Sequence, residues 1–168
     1  MDDFLKVDER TFGVRSSALS ASADDEGALR LSFEVHAEGA ECFVEMDGYL
    51  AVPRSFAAGD AVTIVLDDAQ REELIYYEHD HLPFRGAEIT FTPHEERIEL
   101  RVAGEVVDPG DGNRVLAISV QTATSLEQVS VRPKTEREAR EVLARTGLTG
   151  ELVWTEMPNG LWTFYSPA

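Results

Sequence analysis

The chain predicts a mainly β fold: an antiparallel β-sandwich or barrel of about eight to ten strands, with one short α-helix in the C-terminal half. Three observations carry this. Across residues 86–122 the apolar positions recur with period two, as Ile89 and Phe91, then Ile98, Leu100, Val102 and Val106, then Leu116, Ile118 and Val120. Side chains alternate across a strand, so each series is a strand with one buried face. The two joints between them, residues 92–96 and 108–113, hold the Pro, Gly, Asp and Asn that supply the fixed or positive φ of tight turns. The spacing changes to a helical three and four after Pro133.

In chain order, residues 11–15 read as a short strand and residues 16–27, rich in Ser, Ala and Asp, as a loop or mobile connection. Leu29, Leu31, Phe33 and Val35 then alternate with Arg30, Ser32, Glu34 and His36, which makes a half-buried strand. Cys42, Val44 and Met46 form the next, with Phe43, Glu45 and Asp47 on its other face, before Asp47 and Gly48 bend the chain. Residues 49–52 continue it as far as Pro53, residues 56–60 turn, and residues 61–66 are a short β-branched run. Residues 67–73 are a charged linker, and residues 74–77 resume the sheet, with hairpins as the simplest connections. Residues 127–132 add one more strand.

Beyond Pro133, Thr135 and Glu138 fit a capping box, Ala139, Val142 and Leu143 share a helix face, and Glu136 with Arg140 and Glu141 with Arg145 pair at spacing four. Gly147 offers the left-handed stop. Residues 152–155 and 161–165 flank a Met157-Pro158-Asn159-Gly160 turn and read as a hairpin, whose Trp154, Trp162, Phe164 and Tyr165 are expected to dock on the sheet.

A length of 168 residues at 43% hydrophobic content supports one domain, residues 1–168, with a core of ordinary size. The start, Met1-Asp2-Asp3-Phe4-Leu5-Lys6, has neither a basic opening nor an apolar h-region, so a cytoplasmic location is expected. The single cysteine, Cys42, excludes an internal disulfide and a multi-cysteine zinc site, and its expected role is packing. The net charge of −17 is concentrated: residues 31–110 carry eighteen acids against five arginines, a balance of −13. A field of that sign repels nucleic-acid phosphate and anionic lipid and speeds encounter with cations. The expected partner is therefore a basic protein, with no nucleic acid and no membrane.

The segment Tyr76-Tyr77-Glu78-His79-Asp80-His81 carries two histidines at spacing two, which project to one face of an extended chain and form a candidate metal pair. His94 or His36 would supply a third ligand, and Glu78 or Asp80 would orient the imidazoles. No second motif accompanies the pair, so no bound transition metal and no cofactor are expected. Asp108, Asp111 and Asn113 lack the alternating oxygen positions of a calcium loop and read as a turn. The chain has no nucleophile elbow, no phosphate-cradling glycine loop, no HExxH and no dinucleotide fingerprint, so no catalytic residue is assigned.

Residues 59–66, Gly-Asp-Ala-Val-Thr-Ile-Val-Leu, and residues 103–107, Ala-Gly-Glu-Val-Val, are similar to strand segments of PilZ-type cyclic-dinucleotide receptors. Those receptors hold their ligand with an arginine pair and a later Asp/Asn-x-Ser-x-x-Gly motif. Arg10 and Arg15 have a different spacing here and the second motif is absent, so the similarity implies a small barrel and no ligand.

These observations point to a non-enzymatic acidic protein-binding domain, of the kind a bacterial immunity protein or antitoxin presents to a toxin's cationic site. The residues expected to meet the partner are Asp67, Asp68, Glu72, Glu73, Glu78 and Asp80. The alternatives are a small β-barrel metal-binding protein or enzyme built on His79 and His81, and an accessory subunit of a larger assembly.

Overall fold

The computed structural model describes residues 3–94, 97–132, 135–148, 153–156 and 162–165. Among these residues the strands are β1 (Phe4–Val7), β2 (Arg10–Ala23), β3 (Leu29–Ala37), β4 (Phe43–Met46), β5 (Leu50–Ala51), β6 (Val62–Val65) and β7 (Leu74–Tyr77). They continue as β8 (His81–Pro93), β9 (Ile98–Asp108), β10 (Arg114–Thr124), β11 (Leu126–Val131), β12 (Val153–Glu156) and β13 (Trp162–Tyr165). The helices are α1 (Asp68–Arg71) and α2 (Glu136–Thr146). Strands β1, β2, β3, β4, β7, β8, β9 and β10 pair in a ring, each antiparallel to the next, and β1 closes it by bonding to both β2 and β10. The architecture is a closed eight-stranded antiparallel barrel with extra strands and one C-terminal helix.

The period-two series fill the barrel. Leu31, Val35, Val44, Leu74, Ile89 and Leu100 are fully buried, and burying one such side chain contributes about 1.5–3 kcal/mol. Phe91 stands between Phe33 and Phe56, edge to face at 6.1 and 6.2 Å. Phe56 arrives on a 3-10 turn, Arg54–Phe56, that links the short strands β5 and β6.

Four local expectations are corrected. Residues 16–27 are not a loop, because β2 runs unbroken to Ala23 and only residues 24–27 turn. Ser and Ala have low strand propensity, but β2 pairs with β3 along one edge and with β1 and then, in parallel, β11 along the other. Small residues suit a strand that is also packed against α2: Leu19, Ala21 and Ala23 are buried while Ser20 and Ser22 are half-buried. Secondly, residues 4–7 were not expected to form a strand, and they are the strand that closes the ring. Thirdly, residues 61–66 and 74–77 do not form a hairpin with each other. β6 pairs with residues 88–91 of β8 and β7 with residues 81–83, end to end on one edge. The linker between them holds α1, capped by Asp67 and boxed by Gln70, and carries the chain along β8 instead of reversing it. Finally, the chain from Tyr76 to His81 is not one extended run: β7 ends at Tyr77 as expected, but residues 78–80 bend before β8 begins at His81.

The helix forms as its sequence dictates. Thr135 and Glu138 make the reciprocal capping box, Glu136 pairs with Arg140 at 2.6 Å, and Gly147 adopts the left-handed conformation at φ 82°. Its buried face, Ala139 and Val142, lies at the barrel end where β2 turns into β3. There Arg145 donates to the Asp25 carbonyl at 2.5 Å, and Gly27, at φ 82°, passes so close to the Arg145 backbone that no side chain would fit. The two strands of the hairpin expected at the C-terminus are present as β12 and β13, paired antiparallel, and β13 extends β11 outside the ring, while the expected turn at residues 157–160 and the docking of the aromatic side chains lie outside the described residues.

Two glycines on neighbouring strands make a paired test of this packing. A Cβ on Gly104 would lie 2.5 Å from the Gly86 carbonyl oxygen and 2.6 Å from Phe84 Cδ1, where β8 bulges, whereas one on Gly86 meets nothing within 4 Å. Urea denaturation of Gly104→Ala is expected to show a loss of about 1–3 kcal/mol. Gly86→Ala is expected to stay within about 0.5 kcal/mol of wild type.

Candidate functional site

The outward residues of β3, β4, β7 and β8 fall into rows across the barrel wall. One row is His36, Phe43, Tyr77 and His81, each opposite the next in register. Their ring centroids are 5.1, 4.9 and 5.0 Å apart, close to the inter-strand spacing of about 4.8 Å that sets them. Phe43 and Tyr77 stack at 21°, and the two imidazoles tilt against them at 43° and 55°. Cross-strand pairs of this kind stabilise a sheet by about 0.2–1 kcal/mol each.

The adjoining row is Glu34, Glu45, Ile75 and Pro83. Glu34 and Glu45 face one another directly across the strands, a placement that destabilises a sheet. Among the described residues neither pairs with an arginine or lysine; Glu34 takes a short hydrogen bond with His36 Nε2. Glu45 is half-buried, and its carboxyl is raised above the usual range by that burial first, then by Glu34 and Asp47, while His36 and His81 act the other way. One step further along the same strands, the Asp47 N–H donates to the Glu73 carbonyl at 2.9 Å, which brings both acids to the border of this wall. The wall thus carries Glu34, Glu45, Asp47 and Glu73 beside a row of rings.

The six acids chosen from the sequence lie in two places. Asp67, Asp68, Glu72 and Glu73 sit around α1, on the flank beside β7 and β8. Asp67 is exposed but occupied, accepting from the Ala69 and Gln70 amides at 3.0 and 2.8 Å. Glu72 and Glu73 are exposed, and Glu73 alone of the six adjoins the wall. Glu78 and Asp80 lie in the bend between β7 and β8, where Asp80 accepts the His81 N–H at 2.9 Å. Sequence reasoning did not choose Glu34, Glu45 or Asp47; the signal available was their outward position in strands already recognised.

Glu78 is bound within the protein. Arg10 grips it with two parallel bonds, Nη1 to Oε1 at 2.6 Å and Nη2 to Oε2 at 2.9 Å, and the Tyr76 hydroxyl donates to Oε2 at 2.8 Å. The Arg10 bonds hold this carboxyl down at about 2 in spite of partial burial, and the same bonds hold the guanidinium more firmly charged. Tyr76 is fully buried inside the barrel, so its hydroxyl is raised by burial and then by its bond to Glu78. Cys42 packs beside it, its thiol raised by burial, and this supports the packing role expected of it.

The histidines do not converge. His79 and His81 were expected on one extended chain, but His79 lies in the bend and His81 opens β8, so they are not neighbours on one strand face. His36 and His81 are the two ends of the ring row, with Phe43 and Tyr77 between them. His94 follows the far end of β8, roughly 40 Å along the strand from His81, with its Nε2 3.8 Å from Glu99. Among the described residues no three His, Cys, Asp or Glu side chains are placed to hold one metal ion, and no helix is long and apolar enough to cross a membrane.

No protein-family model, no curated protein and no solved structure matches the chain, so the strand similarity to PilZ-type receptors stands without a family match.

The Glu78 contact predicts a pH dependence with a definite sign. A carboxyl lowered from the ordinary 4.5 to about 2 adds stability that is fully present above 4.5 and is lost as pH falls through about 2. Urea midpoints followed down that range should fall in wild type and fall less in Glu78→Gln, which cannot titrate but still accepts from Tyr76. Parallel profiles would show that the contact contributes nothing to the fold. Glu78→Ala should cost more at neutral pH than Glu78→Gln, by about 1–3 kcal/mol, because it strands the buried Tyr76 hydroxyl.

Proposed function

We propose that this protein is a non-enzymatic binding domain for a basic protein partner, acting by covering that partner's cationic surface in the manner of an immunity protein or antitoxin. The observation that carries it is the placement of Glu34 directly opposite Glu45 on an outward wall, where neither pairs with an arginine or lysine among the described residues. A like-charged pair costs the isolated fold stability, and a cation supplied from outside removes that cost. Asp47 and Glu73 on the border of the wall, and the −13 balance of residues 31–110, extend the same field. Such a field acts first on encounter rate, over a range set by a Debye length of about 8 Å at physiological salt.

The four acids around α1 provide the test of steering. In the variant carrying Asp67→Asn, Asp68→Asn, Glu72→Gln and Glu73→Gln the helix cap survives, because asparagine caps as well as aspartate. With a partner captured from the native host, stopped-flow mixing at two salt concentrations should show slower association and a weaker salt dependence for this variant. Unchanged association at both salts would remove these acids from the binding surface.

A second measurement concerns the wall itself. Glu45→Gln should leave thermal stability unchanged or raise it, by about 0.2–1 kcal/mol, while weakening partner binding. A destabilised variant with normal binding would mean that Glu45 serves the fold.

A further inference from the structure

We propose that the wall selects arginine: the partner's recognition element is an arginine on an extended segment, its guanidinium taken by Glu34 and Glu45 and its stem laid along Ile75 and Tyr77. The inference rests on the basic-partner reading and adds to it the surface and the side chain.

Charge complementarity commits the occupant. Among the described residues Glu34 and Glu45 have no arginine or lysine partner, so a cationic segment gains most from them. One feature separates arginine from lysine, and a second holds the stem of either. Glu34 and Glu45 stand on neighbouring strands, with Cβ atoms about 5 Å apart, and present two acceptors to one incoming group. A planar guanidinium meets two acceptors at once with its fork, whereas an ammonium is a point charge satisfied by one. Glu34 keeps Oε2 for this while Oε1 engages His36, and it is 43% exposed. The second feature is the apolar bed. Ile75 lies next to Glu45 in its row, and Tyr77 next to Ile75 on the same strand face, so a long stem crossing toward the carboxylates runs over carbon. The row is roughly 14 Å long, the reach of about four extended residues.

The experiment titrates blocked tetra-arginine and tetra-lysine peptides into the full chain at one low salt concentration and follows backbone amide shifts. The arginine peptide is expected to bind about five-fold more tightly, with the largest shifts at Glu34, Glu45, Ile75 and Tyr77. Glu34→Gln alone, checked for folding by thermal unfolding, should remove the preference by leaving one carboxylate, and combined Glu34→Gln and Glu45→Gln should weaken both peptides. Equal affinities with shifts on the wall would overturn arginine selection and leave the basic-partner reading standing. Shifts confined to α1 would overturn the wall as the site. Binding of neither peptide would overturn the inference, and partner capture would then decide the broader reading on its own.

Discussion

Closure of the barrel by β1 is the constraint on which the rest of the structure depends. Four residues carry it: Phe4 lies opposite Gln121 on one side and Gly13 on the other, and Val7 opposite Ile118 and Arg10. Without them β2 and β10 would each present a row of unpaired backbone groups, the template for association that closed barrels abolish. Leu5 and Val7 are fully buried, so the closing strand is also core. Asp8 seals the next turn. It adopts φ 53°, a left-handed conformation that aspartate tolerates, while its carboxylate accepts the Ala117 N–H at 2.8 Å and an Arg114 N–H at 2.7 Å. Two positions further on, Arg10 reaches Glu78 across 68 residues of sequence. The seam is therefore held by backbone ladders along its length and by charge-assisted bonds at one end.

Closure also decides where function can lie. Every ring strand has one side chain row inside and one outside, and the inside is filled by the apolar series, with Tyr76 reaching toward the end that Arg10 and Glu78 occupy. Chemistry available to a partner must come from the outward rows or from the turns. Several turn acids already serve the backbone: Asp24 accepts from Glu26 and Ala28, Asp67 caps α1, and Asp108 accepts from Gly110 and Asp111. On the outer wall of β3 and β4, by contrast, two glutamates stand directly opposite one another in register. An arrangement that costs the isolated fold stability is the sort of local inconsistency that marks a functional surface.

Strong periodicity was legible in the sequence, and pairing was not. Leu29 to Val35, Cys42 to Met46 and the three long series of β8, β9 and β10 were read correctly because their apolar residues recur at every second position, a pattern that survives the bulge in β8 and the buried Glu99 in β9. The helix was read to within a residue because its capping box, ion pairs and glycine stop agree with one another. The first part of β2 was read as a strand at residues 11–15, its continuation to Ala23 was missed because Ser and Ala carry almost no hydrophobic contrast, and β1 was not read. The candidate site was missed for a related reason. Acidic residues draw notice when they are adjacent, as at Asp67-Asp68 and Glu72-Glu73, whereas Glu34 and Glu45 are eleven positions apart and become neighbours only through the β3–β4 register. The histidines misled in the opposite sense: a spacing of two implies one face only if the strand continues, and the bend at residues 78–80 breaks it.

Two carboxylates on this barrel show how environment separates acids that hold the fold from acids open to a partner. Glu78 and Glu45 are both partly buried, which by itself would raise each. For Glu78 the Arg10 and Tyr76 bonds outweigh burial, so the folded state favours the ionised form and the group contributes stability at neutral pH. For Glu45 burial is reinforced by Glu34 and Asp47, so the folded state resists ionisation and the charge is a cost to the isolated chain. By linkage the first contribution disappears as pH falls, whereas protonation of the second favours the fold. An incoming guanidinium would give Glu45 what Arg10 already gives Glu78: a fixed cation and directed hydrogen bonds that offset desolvation. On the proposed reading Glu45 has that interaction still to make, which puts binding free energy on the wall, whereas the bonds of Arg10 and Tyr76 to Glu78 serve the fold.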